Sequence, residues 1–218
     1  IEGLHVVLCV DRAGIFGADG ATHNGVLDIA FLRSIPGMKI FCPSDFAELR
    51  VMLSRAIYRE NGPVAVRYPR GGEGAYRKEL SAQPLVRVQE RFGREVSIIT
   101  HGVLLNQALD AADILEKEGI RADVYKVNEI GSGLEAAFAE KAQELGSWCV
   151  VVEDVVANGS VGEWFAAHRT ARTDLLNTGD RFLPHGGVSE LYRHCGIDAE
   201  GIAAYIIKNR NRKENGVG

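Results

Sequence analysis

Met38-Lys39-Ile40-Phe41-Cys42-Pro43-Ser44-Asp45-Phe46-Ala47-Glu48-Leu49, continuing to Asn61-Gly62-Pro63-Val64-Ala65-Val66-Arg67-Tyr68, reads as strand, helix, strand. Met38 to Phe41 is a short apolar run that Cys42-Pro43 ends, because proline cannot donate to a sheet ladder. Ser44 or Asp45 then offers an oxygen to cap a helix, and Asp45 with Glu48 has capping-box spacing. Phe46, Leu49, Leu53, Ala56 and Ile57 fall on one stripe of a 3.6-residue period, which predicts a helix to about Glu60 with that stripe inward. Asn61-Gly62-Pro63 stops it, and Val64 to Tyr68 is the next strand. Two strands joined by such a helix form a βαβ unit and should lie parallel in one sheet. The predicted fold class is α/β.

The pattern extends in both directions. Upstream, His5-Val6-Val7-Leu8-Cys9-Val10 is almost continuously apolar, as expected of a strand buried on both faces. A glycine-bearing loop runs from Asp11 to Gly25, and Val26 to Leu32 suits one or two helical turns. Downstream, Gly71-Gly72-Glu73-Gly74 opens an aperiodic stretch to Pro84, read as a linker over 71–84. A second series begins with a strand at Val96 to Thr100, a helix at Val103 to Glu118 and a strand at Ala122 to Val127. A helix at Leu134 to Leu145, a strand at Cys149 to Val152, a helix at Gly162 to His168 and a short strand at Leu175 to Asn177 follow. Helical segments at Ser189 to His194 and Ala199 to Ile207 precede a polar tail, Lys208 to Gly218, expected to fray. This predicts two parallel-sheet modules, 1–80 and 81–218, the second doubly wound. The first is a small core for a parallel sheet. It is expected to be the back half of a larger domain; the alternative is a complete small domain.

The 218 residues carry 25 Lys and Arg against 29 Asp and Glu, a formal net charge of −4. A duplex-DNA or RNA binder usually has a basic excess, so nucleic acid is not the first reading. No apolar run approaches membrane-span length. No secretory signal precedes the first motif, and Ile1-Glu2-Gly3 without an initiator Met suggests a natural start further upstream. Cys9, Cys42, Cys149 and Cys195 form no CxxC pair, and three lie in strand-like runs. Buried thiols in a reducing cytoplasm are expected, rather than a disulfide or zinc framework.

The chemistry sits in Asp11-Arg12-Ala13-Gly14-Ile15-Phe16-Gly17-Ala18-Asp19-Gly20-Ala21-Thr22-His23-Asn24-Gly25. Ligands of open α/β sheets bind where strand carboxyl ends meet loops. The loop follows such an end and carries a guanidinium, a carboxylate and an imidazole among glycines that permit φ > 0. Arg70 ends a second strand of the same sheet, so Arg12 and Arg70 can converge on one crevice. Two planar forks suit a phosphate. Each residue also has a plainer role. Arg12 can pair with Asp11 or Asp45, Asp19 can serve as a turn residue, His23 can donate to a carbonyl, and Arg70 can end a linker. The residues alone point to a small phosphorylated metabolite and to no particular reaction.

Asp11 to Gly25, followed by Phe31-Leu32-Arg33-Ser34-Ile35-Pro36, resembles the 1-deoxy-D-xylulose-5-phosphate synthase family, as do Cys42-Pro43-Ser44-Asp45 and Gly62 to Gly71. The resemblance covers nearly all of the chain. It implies that 1–80 are the later part of a thiamine-diphosphate pyrimidine-binding domain and 81–218 a transketolase-type C-terminal domain. Transketolases and pyruvate dehydrogenase β-chains resemble the helix after Pro43 but do not share the loop. The resemblance further implies a cytoplasmic, homodimeric transferase that uses thiamine diphosphate and Mg²⁺. Such an enzyme joins pyruvate, with loss of CO₂, to D-glyceraldehyde 3-phosphate, and its product feeds isoprenoid, thiamine and pyridoxal synthesis. By position, Arg12 and Arg70 match the arginines that hold the acceptor phosphate. Asp19 and His23 match polar residues at the reacting carbons, His23 assisting proton transfer or orienting substrate. The family's Gly-Asp-Gly…Asn motif, activating glutamate and aromatic shelf have no counterpart here. No cofactor-binding or metal-ligating residue is therefore expected, and the chain is expected to be inactive without an N-terminal domain or a companion chain.

The second module departs from the family pattern at Thr100-His101-Gly102, at Glu129-Ile130-Gly131-Ser132 and at Val152-Glu153-Asp154-Val155-Val156-Ala157-Asn158-Gly159-Ser160. These departures bear on catalysis there and not on fold, and His101 and His185 are read as structural. Two other functions stand beside the leading one: a separately encoded C-terminal chain of a two-chain transketolase-like enzyme, and a non-catalytic α/β assembly module. Nucleotide binding by the second module lacks support, since no GxGxxG or GxxxxGK[ST] follows Val96 to Thr100.

Overall fold

The computed structural model describes residues 3–76, 81–91 and 95–211. β1 (Val6–Val10) leads through the long loop to α1 (Asp28–Arg33), β2 (Lys39–Phe41), α2 (Phe46–Tyr58) and β3 (Pro63–Arg67). β3 lies between β1 and β2 and parallel to both, with Val64 opposite Val7 on one side and Lys39 on the other. The chain continues with β4 (Leu85–Gln89), β5 (Val96–His101), α3 (Leu105–Lys117), β6 (Ala122–Val127), β7 (Glu129–Ile130) and α4 (Ser132–Lys141). It closes with β8 (Trp148–Val152), α5 (Val161–His168), β9 (Arg172–Leu176), α6 (Val188–Cys195) and α7 (Ala199–Asn209). The second sheet has the order β4-β6-β5-β8-β9 and is parallel except at β4. The fold is α/β with two parallel-dominated sheets.

Local chemistry explains the element starts. Asp45 caps α2 by accepting from Glu48 N at 2.8 Å, Ser160 caps α5 through Glu163 N, and Asp198 caps α7 through Gly201 N. Gly119, just past α3, and Gly196, just past α6, take the left-handed conformation that ends a helix. The helix expected to reach Leu145 stops at Lys141. Residues 71–76 and 81–84 form no helix or strand, while 77–80 of the expected linker and 212–218 of the tail lie outside the described residues.

Two strands were not foreseen. β4 reads Leu-Val-Arg-Val-Gln, a short alternation that covers one edge of the second sheet. β7 is only two residues long, yet it crosses to the other sheet and pairs antiparallel with β2, Ile40 opposite Ile130. The sheets also share apolar packing. Ile40 and Ala65 of the first, with Ile29 of α1, lie in one cluster with Ile99, Val127 and Val151 of the second.

Three burial expectations are corrected. β1 is an edge strand with its outward side uncovered, so Val6 and Leu8 are 44% and 37% exposed rather than buried on both faces. For the same reason Cys9 is exposed, whereas Cys42 and Cys149 are buried, their thiols pushed up to about 12 by loss of solvation. On α2 Ala56 is buried and Leu49 and Leu53 are half-buried against the core as expected, but Glu48 and Met52 are buried as well and Phe46 and Ile57 are exposed. The burial of Glu48 has a cause. Glu48 reaches across the seam to Lys126 of β6 and also accepts from Ser44 N at 2.7 Å.

Lys126 is fully buried; burial lowers its pKa and the facing Glu48 only partly offsets this. A buried ion pair adds little over an apolar pair of the same shape, but breaking it strands a charge. Glu48→Gln should therefore cost roughly 3–5 kcal/mol, read as a lower urea midpoint at constant slope. Glu48→Leu combined with Lys126→Met should recover most of the loss.

Candidate functional site

The Asp11–Gly25 loop closes on itself where Ala13 and Gly14 bridge Gly25, with Gly14 N donating to Gly25 O at 3.0 Å. Asn24 fastens the middle: its Oδ1 accepts from Phe16 N and Gly17 N, both at 2.9 Å, and its Nδ2 donates to Gly20 O. Gly14, Gly17 and Gly20 have φ of 74°, 75° and 82°, the role foreseen for the loop glycines. Among the described residues Arg12, φ 55°, is the one non-glycine in that region. Such a conformation costs on the order of 1–3 kcal/mol and persists where surrounding structure dictates it.

Arg12 and Arg70 converge. Arg12 Nε lies 3.9 Å from Asp19 Oδ2 and Arg70 Nη1 lies 3.8 Å from the same oxygen. Parallel strands put both arginines at one end of the sheet, since Arg12 follows β1 and Arg70 follows β3. Phe16 lies beneath them, its ring centre 5.8 Å from the Arg12 guanidinium carbon and 5.0 Å from that of Arg70. Arg12 also makes the plainer pair with Asp11, at 2.6 Å, but not with Asp45, which is engaged as a helix cap. Its buried Nε has no hydrogen-bond partner. Contacts near 4 Å are ion pairs and not hydrogen bonds, so both forks hold donors in reserve for an anion with more oxygens than one carboxylate.

His23 is not joined to this group. It ends a 3₁₀ turn, Ala21–His23, is exposed, and has Nδ1 3.0 Å from Thr22 Oγ1. No hydrogen bond or ion pair links it to Arg12, Asp19 or Arg70. Phe16 and Asn24 are the residues that sequence reasoning missed. The available signal was an aromatic between two glycines in a polar loop, and an Asx side chain at its end. Beside Arg70, a cavity of about 250 Å³ opens between the start of α2 and Tyr68–Gly72.

His101 and His185 take separate places. His101 is buried with Nε2 3.1 Å from Glu153, whose carboxylate also accepts from Val161 N and Gly162 N. His185 is exposed in the turn before Gly186. Among the described residues no group of three or more His, Cys, Asp or Glu is arranged to hold a metal ion.

The family described as "Transketolase, C-terminal domain" matches residues 86–202, and "Transketolase, pyrimidine binding domain" matches residues 1–73. The chain belongs to the transketolase family. It is 37% identical to a 1-deoxy-D-xylulose-5-phosphate synthase of Chlorobium luteolum and 40% identical to one of Thermomicrobium roseum. These alignments cover 94% and 95% of the chain and 34% of each relative. The chain thus spans about a third of the length of the curated relatives it matches. A solved structure titled "Split gene transketolase, inactive beta4 tetramer" superposes with a TM-score of 0.78 at 25% identity, over 93% of this chain and 66% of that one.

Phe16 gives this transketolase-family site a specific test. A cation–π contact is worth about 0.5–1 kcal/mol at an exposed site, and Phe16 makes two. Phe16→Leu should weaken binding of a phosphorylated ligand by roughly 5- to 30-fold, measured by calorimetric titration, while Phe16→Tyr should bind as the parent does.

Proposed function

We propose that this chain supplies the acceptor side of a 1-deoxy-D-xylulose-5-phosphate synthase, with Arg12 and Arg70 holding the phosphate of D-glyceraldehyde 3-phosphate. The observation that carries this is the approach of two guanidiniums, from the ends of two parallel strands, to one carboxylate oxygen. Asp19 is a weak internal counter-ion there. Its side chain is 41% exposed and Arg70's is 55%, and pairs of that kind are worth about 0–1 kcal/mol. A phosphate dianion accepts from both forks at once and displaces it. In this reading Asp19, once released, and His23 act at the acceptor's reacting end, His23 reaching it from the exposed 3₁₀ turn when the acceptor binds. The imidazole is the group able to exchange a proton near neutrality.

The whole enzyme in this reading is a cytoplasmic thiamine-diphosphate and Mg²⁺ enzyme that condenses pyruvate with this acceptor and works as a homodimer. Its product enters isoprenoid, thiamine and pyridoxal synthesis. The cofactor's metal site belongs to residues outside this chain, in an N-terminal domain or a companion subunit. The split-gene transketolase likeness favours, as a second reading, a two-chain enzyme of which this is the C-terminal chain. A companion open reading frame encoding the cofactor-binding half, and recovery of activity on mixing the two products, would establish that version.

The test is steady-state kinetics in the complete enzyme, varying each substrate separately. Arg70→Lys keeps the charge and loses the fork, so KM for glyceraldehyde 3-phosphate should rise roughly tenfold while KM for pyruvate holds. Equal rises for both substrates would overturn the assignment. His23→Ala should lower kcat at least as much as it raises KM.

A second measurement addresses the chain alone. Titration of the 218-residue protein with thiamine diphosphate and Mg²⁺ should release no heat of binding and yield no turnover. Micromolar affinity would place the cofactor site within this chain after all.

A further inference from the structure

The loop that carries Arg12 is held by the second sheet more than by its own. Ile15 and Val26 are buried in the cluster built by Ile98, Leu104, Val150 and Leu191. Val156 N donates to Val26 O at 2.9 Å, and Gly186 N to Gly17 O at 3.4 Å. To the first sheet the loop is tied mainly through Ala13 N, which donates to Tyr68 O. At its base the carboxylate of Asp154, just past the end of β8, touches the backbone so closely that a Cβ on Gly14 would overlap it. The same carboxylate accepts from Arg67 Nη2 at 3.0 Å, and Arg67 Nε donates to Asp28 at 2.8 Å.

We infer that Asp154 is a positioning residue for the two-arginine site: one oxygen seats the backbone beneath Arg12, and the other fixes the strand end that leads to Arg70. Arg67 is three residues before Arg70, and Asp28 is three residues after the loop closes at Gly25. One buried carboxylate from the second sheet therefore sets both arms of the site and the helix that follows it. All three side chains are about 4–5% exposed, so they have little freedom to settle elsewhere. Half-buried Tyr192 of α6 and buried Cys42 face the same group. Asp154 touches no substrate in this account. It acts by placing the two guanidiniums, and the inference rests on the phosphate reading above.

The experiment uses the full chain and the near-isosteric variant Asp154→Asn, with Glu48→Gln as a control that breaks a different seam ion pair. Amide hydrogen exchange is followed at Ala13, Gly14, Phe16 and Gly17, which are all bonded donors. In Asp154→Asn these amides should exchange roughly tenfold faster over and above whatever acceleration Ile98 and Val150 show from lower global stability. In Glu48→Gln the loop amides should accelerate no more than Ile98 and Val150 do, although the protein melts earlier. Affinity for D-glyceraldehyde 3-phosphate, with D-glyceraldehyde as the phosphate-free probe, should fall roughly tenfold in Asp154→Asn and hold in Glu48→Gln. Where Asp154→Asn does not fold, Gly14→Ala displaces the same contact from the loop side and should give the same two changes. Unchanged loop exchange, or faster exchange with undiminished affinity, overturns the role of Asp154 alone, provided Arg70→Lys weakens binding. If Arg70→Lys binds the phosphorylated probe as the parent does, the phosphate reading falls and this inference with it.

Discussion

Arg67 lies buried between Asp28 and Asp154 where β3 ends, one cation shared by two anions. Burial alone would lower its pKa, but the two carboxylates more than offset that, so the guanidinium is held more firmly protonated than usual. Taking three charged groups out of water costs several kcal/mol per ion. Apolar side chains of the same shape would do as well for stability alone. What the charges add is selectivity among arrangements, because any slippage of one sheet against the other leaves a buried ion unpaired. The register between the sheets, and hence the position of the loop, depends on this contact.

The location matters as much as the charge. In a doubly wound sheet the chain leaves the central strand first to one side and later to the other, and the crevice at that reversal is the usual ligand position. In the second sheet the reversal lies between β5 and β8, whose ends carry His101, Glu153 and Asp154. Here protein occupies it. Glu153 is taken up by His101 and by the start of α5, and Asp154 by Arg67 and the loop. The second sheet uses this edge to carry the Asp11–Gly25 loop of the first. β7 and the Glu48–Lys126 pair reinforce the same joint from the side of α2.

What the sequence showed and hid follows from range. Strands such as β3 and β8 are largely apolar runs bounded by turn residues, and β5 and β6 are rich in β-branched residues, so all four are legible locally. The cap of α2 is legible too, because Asp45 and Glu48 are three residues apart. The inward face of that helix was legible only in part, since Glu48 points in where Lys126, 78 residues away, meets it. β7 has two residues and exists by virtue of its pairing, and β1 reads as buried because composition does not reveal which strand lies at an edge. In the loop, glycines announced their left-handed positions. Arg12 did not, since nothing in an arginine signals positive φ. Convergence of the two arginines was legible from strand direction alone, whereas the Phe16 shelf arises only when the loop folds back over its own ring.

Arg12 joins these threads. An arginine at φ 55° is unfavourable by itself, and glycine would relieve the strain, so the conformation is imposed from outside. Ala13 is bonded to Tyr68, Gly14 is pressed on Asp154, and Gly25 leaves no space for a side chain beside Arg12 O. Pinned on these sides, the residue turns its guanidinium over Phe16 toward Asp19 instead of following the strand. The fork reaches that position without making a hydrogen bond from Nε. A half-exposed guanidinium already held beside a displaceable carboxylate lowers the reorganisation needed to bind an anion. The strained backbone at Arg12 is thus held from both sheets, by Tyr68 of the first and Asp154 of the second, so the aim of its guanidinium and the stability of the joint beneath it depend on one set of contacts.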